Sequence, residues 1–311
     1  MSFNILICGL GSIGKRHARI LQNHFPHHIS ALRTYQGQEK NDLNIPELKS
    51  WQEVDRSKWD VAVISGPTAT HIQTALECAS RGMHLFLEKP IDCKLDQLDP
   101  LLQIVEAKKL TSYVAYPLRF HPVIQELKKV LTGQSCWHVR MICTSYLPDW
   151  RPNQDPLKGY FASKEKGGGV LLELSHEMDL AQHLFGSVQK IEGCLGKKGN
   201  VTMDAEDCAD LLLTQSHGVT SIHLNFLSRL NQRRIEVDTA QGCFQADFIQ
   251  NTLKKIGPEG WVREFKVERD DLYLAQWNYF LQNLSNARME NNLFEAAPLF
   301  RKIVAFRERN V

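Results

Sequence analysis

Three groups of residues have types and spacing suited to chemistry. The first is Gly9-Leu10-Gly11-Ser12-Ile13-Gly14, set directly after the apolar run Asn4-Ile5-Leu6-Ile7-Cys8. A strand entering such a turn and a helix leaving it make a phosphate cradle. Gly9 permits the tight turn, Gly11 lets backbone approach a pyrophosphate, and Gly14 lets helix and strand pack closely. The helix start at Ser12 and Ile13 adds unpaired N–H donors and the positive end of the helix dipole. Glycine turns also join strands to helices in proteins that bind nothing, so the flanking strand and helix carry the reading, not the glycines alone.

The second group is Glu88-Lys89-Pro90, at the end of another apolar run. Pro90 disfavours helical geometry at residue 89 and keeps it extended at the strand's C-terminal end. In open α/β sheets that edge is where ligands bind. An ammonium there can hold a substrate hydroxyl or carbonyl and, when desolvated, pass a proton. Glu88 would orient it or simply pair with it, and a solvated lysine at a strand end has the same spacing.

The third group follows Gly167-Gly168-Gly169, where 170–185 is expected as one helix stopped by Gly186. At 100° per residue, Leu171, Leu174, Met178, Ala181 and Phe185 form an apolar stripe, while Glu173, His176 and His183 project from the opposite side. Leu172, Leu180 and Leu184 lie among those polar groups, so that side is expected to be covered as well. His176 with Glu173 one turn away suits proton transfer; a helix packed on two sides with a satisfied histidine fits the same pattern. His176, Asp179 and His183 have helical metal-ligand spacing, but no further Cys or His completes a set, so no metal is expected. No local motif supports a serine or cysteine nucleophile.

The elements that must position these groups read in two halves. Up to residue 120 strand and helix alternate, as a parallel sheet with crossover helices requires. Strands are expected at 5–8, 29–32, 61–65, 85–87 and 113–115, and helices at 13–21, 69–81 and 95–108. After a helix at 123–131, longer alternating runs suit antiparallel strands with one covered face. These lie at 137–144, 188–195, 208–214, 220–226, 235–238 and 244–248, with His217-Gly218 turning one hairpin. Helices at 272–284 and 294–309 follow. The expected fold is thus α/β: a doubly wound Rossmann domain over 1–120, then an α+β domain over 121–311 built on a large, mainly antiparallel open sheet.

With 311 residues, two domains are natural. The 37 Lys+Arg against 35 Asp+Glu are scattered, leaving no footprint for nucleic acid or an anionic membrane. Eight cysteines without a CxxC pair read as reduced, mostly buried thiols. With neither a leader pattern nor a long apolar run, a cytoplasmic location is expected.

Over almost the whole chain these residues resemble the Gfo/Idh/MocA family, the oxidoreductases grouped around glucose-fructose oxidoreductase and inositol dehydrogenase. Gly9-x-Gly11-x-x-Gly14 is similar to the family's nucleotide turn, Ser65-Gly66-Pro67-Thr68 with His71 to its loop after the fourth strand, and Gly82-x-His84 with Glu88-Lys89-Pro90 to its signature. Tyr116-Pro117-Leu118-Arg119-Phe120-His121-Pro122 resembles its interdomain passage. Tyr146-Leu147-Pro148-Asp149-Trp150-Arg151-Pro152 and the run from Gly167 to Asp179 resemble a branch seen among polysaccharide-sugar enzymes. That branch usually has Asp where this chain has Glu173, one methylene longer.

The resemblance implies hydride transfer between NAD(P) and a carbohydrate C–OH or ketone lying between the second sheet and the nicotinamide. Lys89 and His176 would be the catalytic pair. Ser12, Ile13, the three glycines, Ser65, Pro67, His71, Glu88 and Lys89 would contact the cofactor, and Arg119, Trp150, Arg151, Glu173 and Asp179 the substrate. At the end of the second strand an acid would hold the ribose 2′-hydroxyl of NAD. Arg33-Thr34 stands there instead, and arginine suits a 2′-phosphate, so NADP is expected ahead of NAD. A homo-oligomer, dimer or tetramer, is implied as well. Two further readings stay open: a non-catalytic nucleotide-binding sensor or scaffold, and a reductase of a non-sugar substrate such as a linear tetrapyrrole.

Overall fold

The computed structural model describes residues 2–33, 41–55, 57–150, 159–201 and 203–311. It divides into two compact units, Met1–Ala115 with Tyr273–Pro298, and Tyr116–Leu272 with Leu299–Val311.

The first unit is built on a six-stranded parallel sheet: β1 (Asn4–Cys8), β2 (His28–Leu32), β3 (Glu47–Leu48), β4 (Val61–Ile64), β5 (His84–Glu88) and β6 (Ser112–Ala115). Their spatial order is β3-β2-β1-β4-β5-β6, and every pairing is parallel. Ile5, Leu6, Ile7, Val61, Ala62, Val63, Leu85, Phe86 and Leu87 are fully buried, as strands covered on both faces require. Helix α1 (Ser12–His24) buries Gly14, His17, Ala18 and Leu21, one stripe at helical spacing. Helices α2 (His71–Ser80) and α3 (Leu98–Ala107) pack against each other. The dipeptide strand β3 was not expected from sequence; two residues are too few to show a period.

Residues 273–298 also belong to this unit, whereas the sequence reading placed everything after 120 in the second domain. The physical reason is aromatic. Trp277, in helix α7 (Arg269–Gln282), is fully buried and stacks on Phe86 with ring centroids 4.3 Å apart, and Phe280 meets Phe86 edge-on at 5.4 Å. Asn291 Nδ2 donates to the Val114 carbonyl at 2.5 Å.

The second unit carries helix α4 (Pro122–Leu131), strand β7 (Cys136–Tyr146), short helix α5 (Val170–Glu173), helix α6 (His176–Phe185) and strands β8 (Lys190–Gly196), β9 (Cys208–Gln215), β10 (Gly218–Asn225), β11 (Leu227–Thr239), β12 (Gly242–Asp247), β13 (Thr252–Ile256) and β14 (Trp261–Glu264). The eight-stranded sheet runs β14-β13-β12-β11-β7-β10-β9-β8, antiparallel except where β10 lies parallel to β7. Val139, Met141 and Cys143 are buried, as the alternation in β7 demands, while α6 packs on β7 and β10. Strand β11 is much longer than the expected 235–238. Strands β13 and β14 were missed because Thr-Leu-Lys-Lys-Ile and Trp-Val-Arg-Glu break the apolar period at a mostly exposed edge. Among the described residues, no helix is long and apolar enough to cross a membrane.

Trp277→Ala should cost the first unit about 3–5 kcal/mol, the usual loss for emptying a buried indole site. Urea unfolding checks this; an unchanged midpoint would show that the aromatic stack does not hold residues 273–298.

Candidate active site

The glycine turn, the loop after β4 and Glu88-Lys89-Pro90 all lie at the carboxyl edge of the parallel sheet. Cys8 and Ile64 end β1 and β4 side by side in register, and Glu88, the last residue of β5, pairs with Ala115. The neighbours of β1 and β4 extend in opposite directions from this pair, the topological switch where doubly wound sheets bind ligands.

The glycines divide by what the fold asks of each. Gly9 has φ +101°, and a β-carbon on it would stand 2.7 Å from the Cα and N of Gly66. One on Gly14 would stand 2.1 Å from the Gly9 carbonyl oxygen. Nothing lies within 4 Å of a β-carbon on Gly11. The fold therefore needs Gly9 and Gly14, while the space beside Gly11, the N-cap of α1, is open. Gly11 has no side chain with which to cap the helix, so none occupies the approach to the first-turn N–H groups of Ser12 and Ile13.

Ser65, Pro67 and His71 shape this edge through backbone contacts. Ser65 is buried and donates Oγ–H to the Gly9 carbonyl at 2.8 Å, fastening the β4 loop to the turn. Pro67 precedes a 3-10 turn, Thr68–Thr70. His71, buried at the start of α2, places its two ring nitrogens 2.9 Å from the Pro90 carbonyl and 3.0 Å from that of Gly66. Lys89 is half-buried, follows β5 directly, and is joined to Pro90 by a cis peptide. Arg33 donates Nη1–H to Glu47 Oε1 at 2.7 Å, with both side chains mostly buried. Thr34 lies outside the described residues.

Sequence reasoning missed His17, the buried partner of Glu88, and Trp277, the partner of His17. His17, fully buried in α1, holds Nε2 2.8 Å from Glu88 Oε1, and the Trp277 indole N–H donates to His17 Nδ1 at 3.0 Å. His17 falls on the buried stripe of α1, the only signal that could have marked it; Trp277 is far away in sequence.

In the second unit the expected single helix over 170–185 is interrupted. Leu174 (φ −98°, ψ 33°) and Ser175 separate α5 from α6, so His176 is the first residue of a new helix and not a mid-helix neighbour of Glu173. The chain carried the signal: serine favours a helix start, and Glu177 and Asp179 complement the dipole in the first turn. Both sides of the segment are covered, as expected, with Leu171, Leu172, Glu173, Met178 and Leu180 buried.

His176 itself is half-buried. Its ring meets Tyr116 edge-on at 5.4 Å, and the Tyr116 hydroxyl lies 3.3 Å from Ser175 Oγ.

Arg119 and Asp179, both expected at substrate, are buried against each other. Arg119 donates from Nε to Asp179 Oδ1 and Oδ2 at 3.2 and 3.0 Å, and from Nη2 to Oδ1 at 2.7 Å. The pair ties α6 to the 3-10 turn Pro117–Phe120. A second bidentate pair, Arg233 with Glu177 at 2.6 and 3.0 Å, anchors the same helix to β11. Upstream, the Glu206 carbonyl accepts Val170 N–H at 2.9 Å, and Arg307 donates to the Gly168 carbonyl at 2.6 Å. Burial pushes the Glu206 carboxyl up, while the Arg307 guanidinium pulls it back. Gly169 has φ +110°, and a β-carbon there would strike the Glu206 carboxylate at 2.3 Å. Trp150 is partly exposed, donates to Ser145 Oγ at 2.9 Å and meets Phe226 edge-on at 5.1 Å. Arg151 lies outside the described residues.

Of the three residues with helical metal-ligand spacing, from which no metal site was expected, Asp179 is bound by Arg119. The donor atoms of Cys208, Asp210 and His223 lie within 4.8 Å of one another on β9 and β10. Asn225 Oδ1 accepts the Leu227 and Ser228 N–H groups, so its amide donates to His223 Nε2, and His223 in turn donates Nδ1–H to Asp210 at 2.6 Å. Hydrogen bonding within the chain accounts for that arrangement. The expectation of mostly buried thiols holds for Cys8, Cys78, Cys93 and Cys143; Cys136, Cys208 and Cys243 are half-buried and Cys194 is exposed.

Residues 3–116 match the oxidoreductase family with an NAD-binding Rossmann fold, and residues 124–245 match the Gfo/Idh/MocA C-terminal domain. The chain belongs to the Gfo/Idh/MocA oxidoreductase family. Within this family it is 24% identical to the myo-inositol 2-dehydrogenase of Thermotoga maritima over 304 residues, which is 90% of this chain and 87% of that protein. The solved UDP-N-acetylglucosamine 3-dehydrogenase of Acidithiobacillus ferrooxidans shares the fold at a TM-score of 0.81 and 18% identity, covering 100% of this chain and 98% of that one. A Bordetella pertussis dehydrogenase solved with NADH and UDP-GlcNAcA gives 0.80 at 17% identity, with coverage of 100% and 96%.

Burial, aided by the Arg233 charge and opposed by a hydrogen bond that the protonated ring donates to Asn251, holds His121 down at about 4. Its Nδ1 caps α4 by accepting Val123 N–H at 3.2 Å, a role that needs an unprotonated nitrogen. The unfolded chain takes up that proton near 6.5 and the folded chain only near 4, so stability present above pH 6.5 is lost as pH falls toward 4. His121→Asn, which keeps a cap acceptor without the titration, should flatten the acid limb of a plot of unfolding free energy against pH. Identical limbs would remove His121 as its source.

Proposed function

We propose that the chain transfers a hydride between a nicotinamide nucleotide and a carbohydrate hydroxyl or ketone, the substrate being a sugar or nucleotide-linked sugar. The observation that carries this is the joint placement of open Gly11 and half-buried Lys89 at one sheet edge, the first suited to a pyrophosphate and the second to a reacting oxygen. The sugar class is supported by the names of the inositol and UDP-N-acetylglucosamine dehydrogenases to which the chain is similar.

Bound nicotinamide supplies the two-electron hydride acceptor or donor. In the oxidative direction Lys89 or His176 takes the hydroxyl proton as the carbon loses hydride; in the reductive direction it returns that proton to the new alkoxide. Tyr116 and Ser175 orient His176. The Arg119–Asp179 pair sets the frame of α6, and Trp150, Arg151 and Glu173 remain the proposed substrate contacts.

The finer cofactor reading, NADP ahead of NAD, rests on Arg33. Its ion pair with Glu47 favours NAD instead, because a carboxylate beside a 2′-phosphate is repulsive. We also propose self-association through the second sheet, whose solvent side sets Leu212 and Ile142 among Arg140, Arg234 and Glu236, the apolar and charged mixture of an interface. A cytoplasmic location is also proposed, in keeping with eight cysteines that form no CxxC pair.

Compared at one shared concentration, the nucleotide that binds more tightly should stabilise the protein more, by about 2.7 kcal/mol where that concentration is ~100 times its dissociation constant. The larger shift identifies the cofactor, and Glu47→Gln should move preference toward NADP. With myo-inositol and UDP-N-acetylglucosamine among the test sugars, Lys89→Ala and His176→Ala should each lower turnover by roughly 10²–10⁴-fold, and His176→Ala should keep the nucleotide shift. Binding without hydride exchange across the sugars would favour the sensor reading instead. Sedimentation at micromolar concentration should show a dimer or tetramer; a single monomeric species would refute self-association.

A further inference from the structure

We infer that Trp277 and His17 are positioning residues that hold the backbone of Lys89 through Glu88; the catalytic consequence rests on the role proposed for Lys89. An indole N–H can only donate. Because Trp277 Nε1 donates to His17 Nδ1 at 3.0 Å, that nitrogen is an acceptor and the ring proton sits on Nε2, where it is donated to Glu88 Oε1 at 2.8 Å. The other carboxylate oxygen, Glu88 Oε2, accepts the backbone N–H of Lys89 at 3.2 Å. The donors of α7 and α1 thus point toward Glu88, whose carboxylate accepts from His17 on one oxygen and from the Lys89 backbone N–H on the other.

Burial makes this relay stiff. Trp277 and His17 have no exposed surface and Glu88 is 6% exposed, so each broken bond strands a polar group away from water. Ring packing fixes the imidazole plane: His17 stands edge-on to Phe86 at 5.1 Å, to Tyr273 at 5.7 Å and to Trp277 at 5.8 Å. His17 also lies one turn beyond Gly14 on the helix whose start forms the nucleotide turn. One rigid helix thereby carries both the phosphate cradle and the group that orients Glu88.

The experiment compares wild type, His17→Leu and His17→Gln in the full chain. Leucine abolishes both bonds, whereas the glutamine carboxamide can accept from Trp277 and donate to Glu88. In protein labelled with ¹⁵N-lysine, with the Lys89 signal assigned by its loss in Lys89→Arg, His17→Leu should shift that amide and speed its hydrogen exchange. The helical amides of Lys15 and Lys108 report any global loss of stability. Glutamine should restore the Lys89 amide toward wild type. In parallel, kcat should fall on the order of 10- to 100-fold in His17→Leu, as for a small misplacement of a reacting group, with NAD affinity unchanged and part of kcat recovered in His17→Gln.

An unaltered Lys89 amide, or one that changes only in step with Lys15 and Lys108, overturns the relay. Loss of NAD affinity in proportion to kcat overturns it too, by placing the effect in the nucleotide turn. A shifted amide with full turnover in Lys89→Ala would instead refute the catalytic role of Lys89 while leaving the positioning of its backbone intact.

Discussion

At the carboxyl edge of the parallel sheet two backbones pass closer than a β-carbon allows. Gly9 and Gly66 meet there, and Gly14 lies against the Gly9 carbonyl, so the turn after β1, the loop after β4 and the start of α1 have one mutual arrangement. Ser65 fastens it from the side by donating to Gly9. Once α1 starts at that point, helical geometry decides what else it carries. His17 arrives one turn later on the buried stripe, where it reaches Glu88. A steric limit at two glycines thus propagates, through the rigidity of a helix, to the end of β5.

The second unit solves a different problem, the placement of a short helix that begins at His176. Its frame is electrostatic: Asp179 and Glu177 in the first turn are each held by a bidentate guanidinium, from Arg119 and Arg233. Burying such pairs adds little net stability, because desolvation offsets the attraction, yet breaking one leaves an uncompensated charge at about 3–5 kcal/mol. They act as registers, penalising every arrangement but one. Arg307 with Glu206 does the same for the glycine run ahead of α5, where Gly169 leaves no room for a side chain beside the carboxylate.

These two devices differ in how far they could be read in the chain. Glycine spacing, the apolar runs of the first five long strands and the stripe of α1 are local, and local periodicity is what a sequence displays. The break before His176 was also local, written in Ser175, Glu177 and Asp179, but the apolar stripe across 170–185 masked it. Strands β13 and β14 offered no alternation to detect.

By itself, the sequence determined the parallel sheet with its nucleotide-type turn, the lysine at a strand end and an antiparallel-rich second half, because each depends on residues within one or two turns or strands of one another. Tertiary structure alone decided that residues 273–298 return to the first unit, that Arg119 binds Asp179, that Arg33 binds Glu47, and that Trp277 reaches His17 across 260 positions. Those pairings arise when burial forces each polar group to find a partner wherever the fold brings one, and that choice leaves no local pattern in the chain.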